Sequence, residues 1–149
     1  MAMNSSAQGS DAPEELVRAG PADARTAAVL RDDLYAWLRQ FTDVPPTQLS
    51  DIVVSTYEAL ANCADHAYAN RPGSAGAMTL RAAYDRAAEA IRVSITDGGM
   101  WREPEAPKPS DIRGRGIALM RALADQCSIE GRPHGTTVSL LYGRSMTKV

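Results

Sequence analysis

Residues 90–97, AIRVSITD, constrain this chain more than any other stretch. Ile91, Val93 and Ile95 alternate with Arg92, Ser94 and Thr96, the two-residue period of a half-buried strand. A strand of that kind must bury its apolar face against another element, and the chain upstream has a helical period. From Pro21 onward, Val29, Leu30, Leu34, Trp37, Leu38 and Phe41 recur at three- and four-residue steps, forming one apolar stripe. DVPP then ends the helix, because the residue before a proline avoids the helical region. Thr47 is placed to cap a second helix, which runs to about Tyr68. AMTLRAAY and the alternating segment flank DRAAE, which reads as a hairpin turn. EELVRAG fits a short edge strand, IALMRALADQ a helix and TTVSLLY a final strand. Helices followed by antiparallel strands predict an α+β fold, a two-layer sandwich.

The chain has 149 residues, enough for one domain with a real core. Its net charge of −2 argues against a general nucleic-acid binder or a polybasic membrane anchor. The two cysteines, Cys63 and Cys127, form neither a disulfide framework nor a metal-ligand pattern. No apolar run approaches the roughly 20 residues that span a bilayer. The opening MAMNSSAQGSDAP lacks the apolar core of a signal peptide. The expectation is a cytoplasmic protein with no direct nucleic-acid or membrane partner. Residues 1–11 are expected to be a disordered tail, and 144–149 a short C-terminal tail.

Within the second helix lies EALANCADHAY, residues 58–68. A helix turns about 100° per residue. With Glu58 at zero, Asn62 falls at about 40°, Asp65 at about −20° and His66 at about 80°. Val53, Tyr57, Leu60, Ala61, Ala64, Ala67 and Tyr68 fall between about 180° and 300°, the expected apolar face. Cys63, at about 140°, lies between the faces and reads as packing. The polar face is either simply solvated or the oxygen-bearing wall of a phosphoryl site. A carboxylate can orient or deprotonate a nucleophile, and a hard Mg²⁺ takes oxygen ligands.

Three glycine-bearing segments accompany this helix. Asp97 ends a strand and is followed by Gly98 and Gly99. Gly114, Arg115 and Gly116 stand at the start of a helix, and Gly135, Thr136 and Thr137 open the last strand. Glycines before a helix let backbone approach phosphate at its positive end, although each alone is also an ordinary turn. No G-x-x-x-x-G-K-[ST] is present, so a nucleotide site here is not a P-loop. Between Asp97 and the helix runs DGGMWREPEAPKPSDIRGRG, a long loop. Loops above about 12–15 residues in compact domains are commonly functional lids or disordered segments.

The order E-x-x-x-N on a helix, strand–D-x-G, long loop, G-x-G–helix and G-T–strand resembles the GHKL (Bergerat-fold) ATPase superfamily. EALANCADHAY, DGG, GRGIALMRALAD and GTTVSL, with VLRDDLYAWL before them, are most similar to the bacterial anti-sigma-factor serine/threonine kinases. The resemblance covers residues 12–143. It implies a two-layer α/β sandwich with a mixed, mostly antiparallel sheet and helices on one face. It implies ATP and Mg²⁺ as cofactors, and a sigma factor or an antagonist protein as partner. Relatives are often dimers, which leaves a homodimer open. By the same resemblance Asn62 binds Mg²⁺, and Glu58 is the general base or water-orienting group. Asp97 accepts from the adenine amino group, and Gly99 lets the ring approach the backbone. Gly114, Arg115 and Gly116 close over the phosphates, and Thr136 or Thr137 supports the adenine end. Asp65 and His66 match the pattern loosely, and His66 reads as a structural hydrogen-bonder. Met100, Trp101 and the lid prolines Pro104, Pro107 and Pro109 depart from it. Chain length fits a stand-alone kinase. The alternatives are a non-catalytic ATP-dependent binding module, a small ATP hydrolase, or a histidine-kinase-type catalytic domain.

Overall fold

The computed structural model describes residues 14–41, 43–67, 76–98, 112–132 and 135–143. The two tails, Tyr68, Gly99, Met100, Trp101 and the lid prolines lie outside them. The elements are β1 (Glu15–Pro21), α1 (Ala24–Leu38), α2 (Pro46–Asn62), β2 (Ala77–Asp85), β3 (Ala90–Asp97), α3 (Ile112–Leu123), β4 (Gln126–Arg132) and β5 (Gly135–Gly143). A π-helical turn, Cys63–Ala67, extends α2. The fold is the α+β sandwich expected from the sequence.

The strands form one open sheet in the order β1-β2-β3-β5-β4, and every described pairing is antiparallel. EELVRAG is indeed an edge strand, β1. The alternation read in β3 holds: Ile91, Val93 and Ile95 are buried and Arg92 and Thr96 are exposed. β2 and β3 meet in the expected hairpin, where Asp85 pairs with Ala90. Glu89 closes that turn at φ 52°, in the left-handed region that side chains rarely adopt. Glu89→Gly is therefore expected to raise stability by about 0.5–1 kcal/mol, read as a higher urea midpoint. An unchanged or lower midpoint would show that the turn is unstrained.

α1 starts where Asp23 accepts a hydrogen bond from the Thr26 amide at 2.7 Å. That bond also lowers the Asp23 carboxyl below its ordinary pKa. Ala27, Leu30, Leu34, Trp37 and Leu38 face the core. Val29, expected in this stripe, is 51% exposed, because it sits one position off the buried row. α1 ends at Leu38, well before the prolines. Phe41 lies beyond the helix, yet it packs edge-on against Trp37 and Tyr84 in the core. α2 begins one residue before Thr47, so Thr47 is inside the first turn and does not cap it. Pro45 precedes the helix in extended conformation, and no side chain caps the end. Pro46 at the first helical position has no amide proton to satisfy and a φ already set for a helix.

The buried face of α2 coincides only in part with the expected apolar one: Leu60 is fully buried, and Val53 and Tyr57 pack against the core. Ile52, Ser55, Thr56, Ala59, Leu60 and Asn62 are buried. Val53, Tyr57 and Ala61 are half-buried, and Val54 is exposed. α2 packs on β3 and β5 and against α3, and small side chains allow a close approach of helix to sheet. Tyr57 also lies under the Arg31 guanidinium, 4.9 Å from the ring centre. Ser55 meets the Tyr142 hydroxyl of β5, and burial pushes that phenol up to about 12. α3 begins at Ile112, so Gly114, Arg115 and Gly116 belong to the helix. The expected helix through Gln126 stops at Leu123, and Gln126–Arg132 forms the unanticipated strand β4.

Candidate functional site

Beneath the C-terminal end of α2, one small cavity gathers buried polar groups. Its walls are Ala59 and Asn62 of α2, Cys63 of the π-turn, Asp97 of β3, Met120 of α3, Ile129 of β4, and Thr136 and Val138 of β5. Asn62 is 6% exposed, Asp97 4% and Thr136 3%. The β3–β5 register pairs Asp97 directly with Thr136, and side chains so paired share a sheet face.

Buried polar groups are normally hydrogen-bonded. Asn62 Oδ1 and Thr136 Oγ1 have no hydrogen-bond partner among the described residues. An unsatisfied buried group costs about 1–3 kcal/mol, so two of them in one cavity point to a ligand with a cation or donors to offer. The cavity holds about 10 Å³, room for one water. A larger ligand requires its walls to part. Met120, unbranched and flexible, is the wall best able to yield.

Cys63 Sγ donates to Asp97 Oδ2 at 3.3 Å. Burial pushes the Cys63 thiol far above its ordinary range, and the Asp97 charge and its hydrogen bond push it further. Cys63 is therefore a standing proton donor and not a nucleophile.

The residues singled out from the sequence divide into groups. Asn62, Asp97 and Thr136, far apart in the chain, line one cavity. Thr137 does not join them. Successive side chains on a strand point to opposite faces, and Thr137 Oγ1 sits 3.4 Å from Thr96 Oγ1 on the side away from the described helices. Glu58 is half-buried one turn before Asn62, outside the cavity lining. Asp65 is exposed in the π-turn. Gly114, Arg115 and Gly116 lie in the first turns of α3, whose body supplies Met120. The side chains of His66 and Arg115, and the whole of Gly99, fall outside the described residues. Sequence reasoning missed Ala59, Met120, Ile129 and Val138, which look like any core positions. It also missed the polar role of Cys63.

A broader groove of about 540 Å³ lies on the sheet face that no described helix covers, between Arg81, Arg92, Ser94, Ser128 and Ser139. No orphaned polar atom faces it among the described residues, and Arg81 is paired with Glu15 at 3.6 Å. Among the described residues no cluster of His, Cys, Asp and Glu could hold a metal ion by itself, and no helix is long and apolar enough to cross a membrane.

Residues 20–142 match the family described as histidine kinase-like ATPase domain. The chain belongs to that family. As a histidine kinase-like ATPase domain it resembles the RsbU and RsbW domains of Rv1364c from Mycobacterium tuberculosis, with a TM-score of 0.67 and 23% identity over 88% of this chain and 32% of that one. The blue-light activated histidine kinase EL346 of Erythrobacter litoralis superposes with a TM-score of 0.59 and 24% identity over 70% of this chain and 33% of that one. The separate histidine kinase domain from the same protein gives 0.58 and 19% over 84% and 62%. The ATPase domain thus spans about a third of the first two chains. These likenesses establish the GHKL fold expected from the sequence, and membership of an ATPase family makes ATP the ligand class.

Proposed function

We propose that this domain is an ATP-dependent protein serine/threonine kinase of the anti-sigma-factor type. It would bind a sigma factor in a partner switch and phosphorylate a small antagonist protein. The observation carrying the ATP part of this reading is the buried Asn62–Asp97–Thr136 wall with two unsatisfied oxygens, and the likeness to an RsbW domain supports the kinase type. Its donor set suits Mg-ATP: a carboxylate acceptor at the base end, a hydroxyl beside it, and an amide oxygen one helix away. Mg²⁺ commonly takes few protein oxygens and completes its shell with phosphates and waters.

In this reading Asp97 accepts a hydrogen bond from the adenine amino group, and Thr136 supports the same end. Asn62 Oδ1 would be a protein ligand for Mg²⁺, which when bound would supply charge neutralisation. Gly99 gives the ring access to the backbone, while Gly114, Arg115 and Gly116 face the phosphates from the start of α3. Glu58 takes the proton of the acceptor hydroxyl as its oxygen bonds to the terminal phosphorus. The bond from that phosphorus to the bridging oxygen breaks, and ADP leaves with the electron pair. Catalysis of this kind rests on positioning and electrostatics.

Asp97→Asn is expected to weaken ATP binding about tenfold or more, because it sets a donor against the adenine donor. Calorimetric titration with Mg-ATP reads this directly, and unchanged affinity would remove Asp97 from the adenine contact.

The histidine kinases among the structural relatives favour one second reading, a histidine-kinase-type catalytic domain. The chemistry of the product separates the two. The domain is incubated with labelled Mg-ATP and proteins captured on it from its native lysate. Acid-stable phosphate on serine or threonine of a captured antagonist supports the proposal. Acid-labile phosphohistidine supports the second reading. Free phosphate alone indicates a hydrolase, and nucleotide-dependent capture without transfer indicates a binding module.

A further inference from the structure

One contact in the cavity plays no part in the function described above, the hydrogen bond from Cys63 Sγ to Asp97 Oδ2 at 3.3 Å. Both residues are buried and both line the same cavity. The contact ties the start of the π-turn to the end of β3, across 34 positions of sequence. Helical turns of the π type often mark functional positions, because the wider turn re-aims the side chains it carries. The remaining walls include Met120, Ile129 and Val138. A carboxylate facing such apolar groups is held best by a donor that cannot leave with solvent.

We propose that Cys63 is a positioning residue for base selection: its thiol orients the Asp97 carboxylate as an acceptor for the exocyclic amino group of a purine. Adenine presents a donor where guanine presents a carbonyl oxygen, so an acceptor held in place admits one and repels the other. The thiol contributes by fixing the orientation and by filling Oδ2 with a donor. It does not touch the reacting phosphate. This inference rests on the ATP reading of the cavity.

The test is the ratio of ATP to GTP affinity, measured calorimetrically with Mg²⁺ for the native domain and for Cys63→Ala, Cys63→Ser and Asp97→Asn. Cys63→Ala is expected to lower the ATP preference about fivefold, the worth of one weak donor on a charged acceptor. Cys63→Ser restores a donor at the same place and is expected to stay within about twofold of native. Packing alone would change both affinities together and leave their ratio unmoved. Equal ratios in the native, Ala and Ser forms would overturn the proposal. If Asp97→Asn also leaves ATP affinity intact, the ATP reading of the cavity fails with it. If Asp97→Asn loses affinity and Cys63→Ala does not change the ratio, the Cys63 inference alone fails.

Should Cys63→Ala not fold, the infrared S–H band decides. Only two thiols are present, so Cys127→Ser isolates the band of Cys63. A band shifted to low frequency that rises in the Asp97→Asn, Cys127→Ser double variant is expected. A band at the free-thiol position in the Cys127→Ser protein would overturn the proposal.

Discussion

Asn62→Ala is expected to abolish phosphoryl transfer, by about 100-fold or more, without loss of the fold. The two halves of that expectation have different causes. Asn62 Oδ1 is buried without a hydrogen-bond partner among the described residues, so the unliganded domain gains little from it. Deleting an unsatisfied buried polar group removes a desolvation penalty of about 1–3 kcal/mol, against which stands the small cavity left by the shorter side chain. The thermal midpoint of the free domain should therefore stay level or rise by a few degrees. The midpoint with Mg-ATP should rise less than in the native domain, because a ligand stabilises only as far as it binds. This pattern, in which a residue strains the empty protein and serves the loaded one, is characteristic of functional sites. Transfer assays and melting curves with and without Mg-ATP check both halves. Undiminished transfer would remove Asn62 from the metal. A collapse of the free domain would make it a structural residue.

Gly135→Ala should be the most destabilising single change around the site, by about 3 kcal/mol. An added Cβ would lie 2.2 Å from the Asp97 carbonyl oxygen, 3.3 Å from the Asp97 carbonyl carbon and 3.4 Å from Gly98 Cα. The obstacles are backbone atoms, which cannot rotate aside as a side chain could. β3 and β5 must separate where Asp97 pairs with Thr136, so the geometry of the proposed adenine end is lost together with stability. ATP affinity should fall by more than tenfold at a temperature where the variant is still folded. Ser139→Ala, on the face of the same strand away from the described helices, is the control and should stay within about 0.5 kcal/mol. Urea unfolding of the two variants with parallel ATP titrations gives the comparison. A Gly135→Ala domain as stable as the native one would show that the strands can part there without penalty.

Much of this was legible in the residues. The alternation through Ile91, Val93 and Ile95 defined a half-buried strand, and DRAAE defined the hairpin. The spacing of Leu30, Leu34, Trp37 and Leu38 gave the buried row of α1. Trp37 and Phe41, at the end of that stripe, are core at 2% and 5% exposure. β4 was not legible: its inward Cys127 and Ile129 are too few, and Gly131 interrupts their alternation. The buried side of α2 was read only in part: Leu60 is buried and Val53 and Tyr57 pack against the core as expected, but apolarity as the guide passed over Ser55, Thr56 and Ala59. The sheet selected small side chains there, so Ser55, Thr56 and Ala59 went inward while Val54 stayed out.

The candidate site shows the same division. Residue order, read through the resemblance to the GHKL superfamily, marked Asn62, Asp97 and the Gly135–Thr137 segment, since a motif is a matter of residue type and spacing. Which of two adjacent threonines enters the cavity is not a matter of spacing. Strand register sends Thr136 inward beside Asp97 and Thr137 to the other face, and register is set by the pairing of whole strands. Cys63 shows the limit most clearly. On a regular helix it falls between two faces, and nothing nearby in sequence calls for a donor. The acceptor it meets lies at the end of β3, brought there when α2 packs on the sheet. The sequence by itself determined most of the elements, β4 excepted, and most of the residues able to do chemistry, because periodicity and residue type are local. Tertiary structure alone decided which of them share a cavity, because contact between distant segments follows from the packing of helix on sheet.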